Sequence, residues 1–220
     1  MSQTLILVGQ STLQTLMMVF FSAVFSLVMG LPLGVLLHAT GSEEQGGVIP
    51  HPIVNSILSR IVNVLRSFPF IILMIVLMPL SRLIIGTSIG TTATIIPLSI
   101  AAAPFVARVI ESSLKEVDPG VVQAAKAMGS TNWQIIWKVL LPEAKPSLVS
   151  GITLTIINLI GYSAMAGAIG GGGLGDLAIR YGYQRFRPGI MAAAVIVIIL
   201  MVELIQIIGN KISARLLARR

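Results

Sequence analysis

Apolar residues run along this chain in five long stretches separated by short polar breaks, at about 13–37, 57–78, 89–110, 148–169 and 190–208. Each is near the roughly 20 residues that a helix needs to cross the hydrocarbon core of a bilayer. They predict five membrane-spanning helices in one polytopic unit covering residues 1–220. An odd number of spans places the two termini on opposite faces. No Lys or Arg leads into the first stretch and none of its side chains is charged, so it reads as a retained span rather than a cleaved leader. Gly30 and Gly34 make a small-xxx-small pair that lets helix backbones approach. Pro32, Pro69, Pro97, Pro104, Gly161 and Gly167 also lie within the spans, as packing positions or as bends at which a gate flexes.

The break between the third and fourth stretches has a pattern of its own. Asp118-Pro119 is a helix start, with a capping carboxylate followed by a ring that needs no donor in the first turn. The short helix it opens should end near Met128, with Gly129 free to take the left-handed conformation. Thr131 and Gln134 then have capping-box spacing, and Ile135, Ile136, Val139 and Leu140 supply an apolar face. Pro142 and Pro146 are expected to end the piece ahead of the fourth span. The prediction is a helix–turn–helix knob over about 118–142 with an exposed tip at 128–132. Such a tip can seat in a groove of a soluble partner and pass force through Leu141 and Pro142. A DNA-reading helix pair and a hairpin lying on the bilayer surface are the other readings of the shape; the first wants more arginine than the knob holds.

Composition agrees with a membrane protein. Hydrophobic residues make up 55% and charged ones 10%, against about 25% charged in soluble domains, and mean hydropathy is +0.94. The net charge of +7 is unevenly placed. Arg60, Arg66, Arg108, Lys115, Lys126, Lys138, Lys145, Lys211, Arg215, Arg219 and Arg220 fall on one face of the predicted topology, and Arg82, Arg180, Arg185 and Arg187 on the other. Positive residues collect in the cytoplasm, so the N-terminus is expected outside, and the C-terminus and the knob inside.

Catalytic chemistry is not written in the chain. There is no cysteine, which excludes disulfides and thiol catalysis. His38 and His51 are expected in loops with no carboxylates arranged for a metal. The run Gly161-Tyr162-Ser163-Ala164-Met165 lacks the last glycine of a nucleophile elbow, and no phosphate-binding Gly-x-x-x-x-Gly-Lys occurs. Glu203, an acid inside an apolar run, is a candidate proton relay, or a residue that snorkels to interfacial water or packs and pairs, with Lys211 as a candidate partner. Consecutive glycines at 170–173 should loosen the outer end of the fourth span, because each costs a helix up to about 1 kcal/mol against Ala. The loop that follows carries Asp176, Arg180, Arg185 and Arg187, a landing surface for a delivery protein.

Gln123-Ala124-Ala125, Gly129 and the closing Leu141-Pro142 resemble the cytoplasmic coupling loop of type I ABC-importer permeases. That loop usually opens with Glu, and Gln123 removes the charge while leaving apolar seating possible. Arg66-Ser67-Phe68-Pro69-Phe70, Gly86-Thr87-Ser88-Ile89-Gly90, residues 161–176 and Ala178-Ile179-Arg180-Tyr181-Gly182-Tyr183 are similar to the permease subunit of bacterial methionine importers. The likeness extends over about 12–210. It implies an all-α integral membrane fold with five spans and a coupling loop, in the inner membrane. It also implies a homodimer working with two ATP-binding subunits that hold ATP-Mg, a periplasmic or lipid-anchored methionine-binding protein, no cofactor of its own and no nucleic acid. Gln123, Ala124, Ala125, Met128, Gly129, Ser130, Thr131, Leu141 and Pro142 would couple to the ATPase. Tyr162, Ser163 and Met165 would line the path, with a soft thioether surface at Met165, and Arg66 would sit at the cytoplasmic gate. An ion-gradient-driven amino-acid transporter or a structural membrane anchor are the competing functions; the first calls for repeated broken helices and intramembrane charge pairs.

Overall fold

The computed structural model describes residues 2–218; Arg219 and Arg220, counted in the charge asymmetry above, lie outside the described residues. All regular structure among these residues is helical: α1 (Ser2–Ala39), α2 (Pro52–Ser67), α3 (Phe70–Ile85), α4 (Thr91–Lys115), α5 (Pro119–Ala127), α6 (Asn132–Ile135), α7 (Leu141–Glu143), α8 (Lys145–Gly167), α9 (Gly173–Asp176) and α10 (Pro188–Leu217). A 3-10 turn at Glu43–Gln45 and wide π turns at Ile136–Leu140 and Leu177–Tyr183 complete the order. Four helices are long and apolar enough to cross a membrane: Thr4–Ala39, Thr91–Lys115, Lys145–Gly167 and Pro188–Leu217. They correspond to the first, third, fourth and fifth predicted spans, each longer than the apolar stretch that marks it. The extra length of the last of them is the polar end at 209–217, whereas the first starts earlier, through the apolar residues 5–8 ahead of the Gly9-Gln10-Ser11-Thr12 break.

The second predicted span, 57–78, is broken. Pro52–Ser67 and Phe70–Ile85 meet at a bend of 100°. Pro69 has no amide hydrogen and pushes Phe68 out of helical geometry. The first half also carries a polar stripe, Asn55, Ser59 and Asn63, each four residues on. The Asn55 amide donates to the Leu37 carbonyl at 2.7 Å, and the Asn63 side chain accepts from Arg108 at 2.9 Å. That face is spent on protein partners rather than lipid. Pro32, Pro97 and Pro104, by contrast, sit inside helices that run unbroken.

The chain groups into two compact units. One comprises, of the described residues, 2–26, 68–102 and 155–207, with a core in which Met74, Leu98, Leu159 and Ile160 are fully buried. The other comprises, of the described residues, 27–67, 103–154 and 208–218; its core gathers Val106, Ile110 and Leu114 of α4 around Val122, Ala125, Ile135 and Leu140 of the knob. Within this second unit Gly30 and Gly34 bring α1 against α4. A Cβ on Gly30 would stand 2.6 Å from Val106, and one on Gly34 would stand 2.6 Å from the Ala107 carbonyl. The small-xxx-small pair is a packing device.

Candidate functional site

The knob forms as its sequence dictates. Asp118 caps α5, its Oδ1 accepting from the Gly120 amide at 2.7 Å. The helix ends at Met128, and Gly129 follows at φ +78°, where a side chain is strained. The Ser130 amide donates back to the Ala125 carbonyl at 3.1 Å and the Gly129 amide to the Lys126 carbonyl at 2.9 Å, the paired bonds of a Schellman stop. The next helix opens on a reciprocal capping box: the Thr131 amide donates to Gln134 Oε1 at 2.9 Å and the Gln134 amide to Thr131 Oγ1 at 3.3 Å. The tip is therefore rigid, with Met128 79% exposed and open space around Gly129.

The predicted contact residues divide by face. Gln123, Ala124, Met128, Gly129 and Thr131 point out, Ser130 is half-buried, and Leu141 and Pro142 are half-buried at the base. Ala125 turns inward; it lies three residues after Val122 on the face that joins the core. Its part is to anchor α5. Lys126 reaches Glu43 of the 3-10 turn at 3.4 Å, a partly exposed tie.

Pro142 and Pro146 do not end the piece as expected. Helical conformation runs from α6 through the π turn at Ile136–Leu140 into α7, and Ala144 at φ −76° leads directly into α8. The Leu141 amide donates across the wide turn to Ile136, and the Ala144 amide to Leu140 at 2.9 Å. The change from five-residue to four-residue bonding falls at Pro142, whose missing donor is thereby accommodated. The second arm of the knob and the long apolar helix behave as one lever.

On α8 the proposed path residues separate. Tyr162 stacks on Phe70, with ring centroids 4.1 Å apart and planes at 10°. Met165 is 50% exposed. Ser163 is buried and its hydroxyl donates to the Ile160 carbonyl at 2.7 Å, so in this conformation it bonds within its own helix. α8 ends at Gly167, three residues ahead of the glycine run at 170–173, in line with the expected loosening. The run is nevertheless tightly packed. The Gly173 amide donates to Gln14 and the Leu174 amide to Thr15, both at 2.9 Å. Gly173 has φ +77°, and a side chain there would strike Thr15 and Met18. Beyond it, Asp176 pairs with Arg180 at 2.5 Å, and Arg185 lies 4.5 Å above the Tyr181 ring.

Arg66 is exposed at the end of α2 with its guanidinium 5.9 Å from the Phe105 ring. It lines an open cavity of about 470 Å³ whose walls mix apolar Phe105, Val109 and Leu154 with Arg108, Ser112 and Glu116. Glu203 faces outward on α10, and no ion pair involves it among the described residues; Lys211 lies eight residues further on, two turns out of reach. His38 is a buried residue of the last turn of α1 rather than a loop residue, while His51 is exposed as expected.

The acid that matters to this site was not singled out by sequence. Glu111 is buried, with its carboxylate 2.5 Å from Arg108 and 2.8 Å from Lys115. Arg108 also donates to the Ser59 carbonyl at 3.2 Å and to Asn63, so the network ties α4 to α2. The charge spacing i, i+3, i+7 (Arg, Glu, Lys) was the available signal.

Comparison with known proteins is consistent across sequence and structure. Residues 30–219 match the family described as "Binding-protein-dependent transport system inner membrane component". The chain is 51% identical over 209 residues to the probable D-methionine transport system permease protein MetI of Pasteurella multocida, covering 95% of each chain. It is 46% identical over 170 residues to the methionine import system permease protein MetP of Bacillus subtilis, covering 77% of each. Among solved structures it is similar to a chain from an inward-facing crystal form of the MetNI methionine ABC transporter, with TM-score 0.95, 44% identity, and 98% and 99% of the two chains covered. A more distant likeness, to a chain of an amino acid ABC transporter with histidines, has TM-score 0.72 at 21% identity and bears on the fold alone.

Proposed function

Because the chain belongs to the family of binding-protein-dependent transport system inner membrane components, we propose that it is the permease subunit of an ATP-driven importer moving methionine, D- or L-, across the inner membrane. The substrate follows from the named functions of its relatives. The mechanism rests on one observation: a capped, rigid knob continuous with a long apolar helix. A separate ATPase would grip the exposed surface of Gln123, Ala124, Met128, Gly129, Ser130 and Thr131, and closing of the ATPase pair would move α8 through Leu141 and Pro142. In this reading two copies of the chain work with two ATP-binding subunits, which hold ATP-Mg, and with a periplasmic or lipid-anchored methionine-binding protein.

The N-terminus lies outside and the C-terminus in the cytoplasm. Arg66 then stands at the inner mouth of the path, Tyr162 and Met165 offer aromatic and thioether surface along it, and Ser163 becomes available only if α8 turns. ATP and the loaded binding protein shift the balance of outward and inward states only through their different affinities for each. Uptake of labelled methionine by vesicles carrying the full complex is the test. Accumulation that needs ATP, the binding protein and this chain supports the reading, whereas accumulation driven by an ion gradient without ATP overturns it.

A further inference from the structure

The coupling surface proposed above does not include the tryptophans. The chain has two, Trp133 and Trp137, one helical turn apart on the second arm of the knob with ring centroids 5.5 Å from each other. They are 68% and 49% exposed, while neighbouring Ile135 and Ile136 are buried. Both line one side of a groove of about 390 Å³. The other side is the last part of α1, with Leu31, Val35 and Leu36, and Ile49 also borders the groove. No charged side chain lines it.

The chemistry of the walls selects the occupant. α1 is itself long and apolar enough to be a membrane span up to Ala39. Its Val28 and Leu36, eight residues and about two turns apart on one side, are both exposed. The groove is thus continuous with an apolar strip of a membrane helix. Tryptophan favours the bilayer–water boundary, where an apolar ring body and a polar N–H are both accommodated. We propose that this groove seats an acyl chain of a membrane phospholipid, held between Trp133 and Trp137 and the end of α1. The tip at Gly129 stays free for a soluble partner, since the tryptophans occupy the arm beyond it. The bound lipid fastens the second arm to α1 and keeps the lever against the membrane. The inference needs only that the chain resides in a bilayer, and it holds whatever substrate is carried.

Tryptophan emission reads the site directly. Phospholipid brominated on its acyl chains is titrated in detergent into the complex of this chain with its ATPase subunits, and the signal of the W133F/W137F complex is subtracted. Should the double variant fail to assemble, W133F and W137F separately supply the background. Quenching that saturates at one lipid per chain and leaves emission below half its starting value, with little response to aqueous acrylamide, is the expected result. Quenching by acrylamide alone places the rings in water; shielding from both quenchers places them under protein; quenching that grows with lipid without saturating reports bulk contact. Each of those three results overturns the proposal.

Discussion

At Gly129 the backbone sits at φ +78° with nothing within 4 Å of where a side chain would start. Gly129→Val therefore meets no neighbour; its cost is backbone strain, about 1–2 kcal/mol in the left-handed region, or about tenfold in the population of this tip. We expect the variant to insert into the membrane normally while uptake falls by at least about tenfold. Uptake at the unsubstituted rate with ATPase subunits still bound would show that the tip does not couple. Glu111 makes a different prediction. Glu111→Gln leaves Arg108 and Lys115 without their shared carboxylate, and it should lower thermal stability by about 1–3 kcal/mol, read as a lower melting temperature of the purified chain. No change would mean that the guanidinium and ammonium are satisfied by water. The Gly129 turn and the Thr131 box were legible in the sequence because their hydrogen bonds are local. Glu111 was missed because the apolar stretch stops at Ile110, and the inward turn of Ser163 and Ala125 depends on neighbours distant in the chain.

The second arm of the knob, the wide turn and α8 form one element for mechanical purposes. A Gly-Gly pair inserted after Glu143 would replace the helical joint at Ala144 with flexible backbone. ATP hydrolysis by the assembled complex should continue while methionine accumulation drops to background. Retained accumulation would contradict a stiff lever. Four of the five spans could be read from apolar length because a bilayer imposes length. The broken second span could not, since hydropathy averages over a bend; Pro69 and the Asn55, Ser59, Asn63 stripe were the marks of it. Pro142 and Pro146 misled for the opposite reason: a proline ends a helix only where its missing donor was needed, and the wide turn ahead of Pro142 absorbs it.

Taken as a whole molecule, the chain concentrates its basic residues on one side of the predicted topology, the ground on which we propose that the knob faces the cytoplasm. Family membership makes the chain a transport permease, but the orientation of its ends remains the proposal on which the coupling mechanism stands. The absence of cysteine makes it directly measurable, because a single introduced thiol is the only one in the subunit. Ser130→Cys at the tip is labelled with a membrane-impermeant thiol reagent in right-side-out and inverted vesicles, with and without the ATPase subunits bound. The account predicts labelling in inverted vesicles alone, and there only once the ATPase subunits have been stripped away. Labelling in right-side-out vesicles, or labelling in inverted vesicles at the same rate with the ATPase bound as without it, would contradict it.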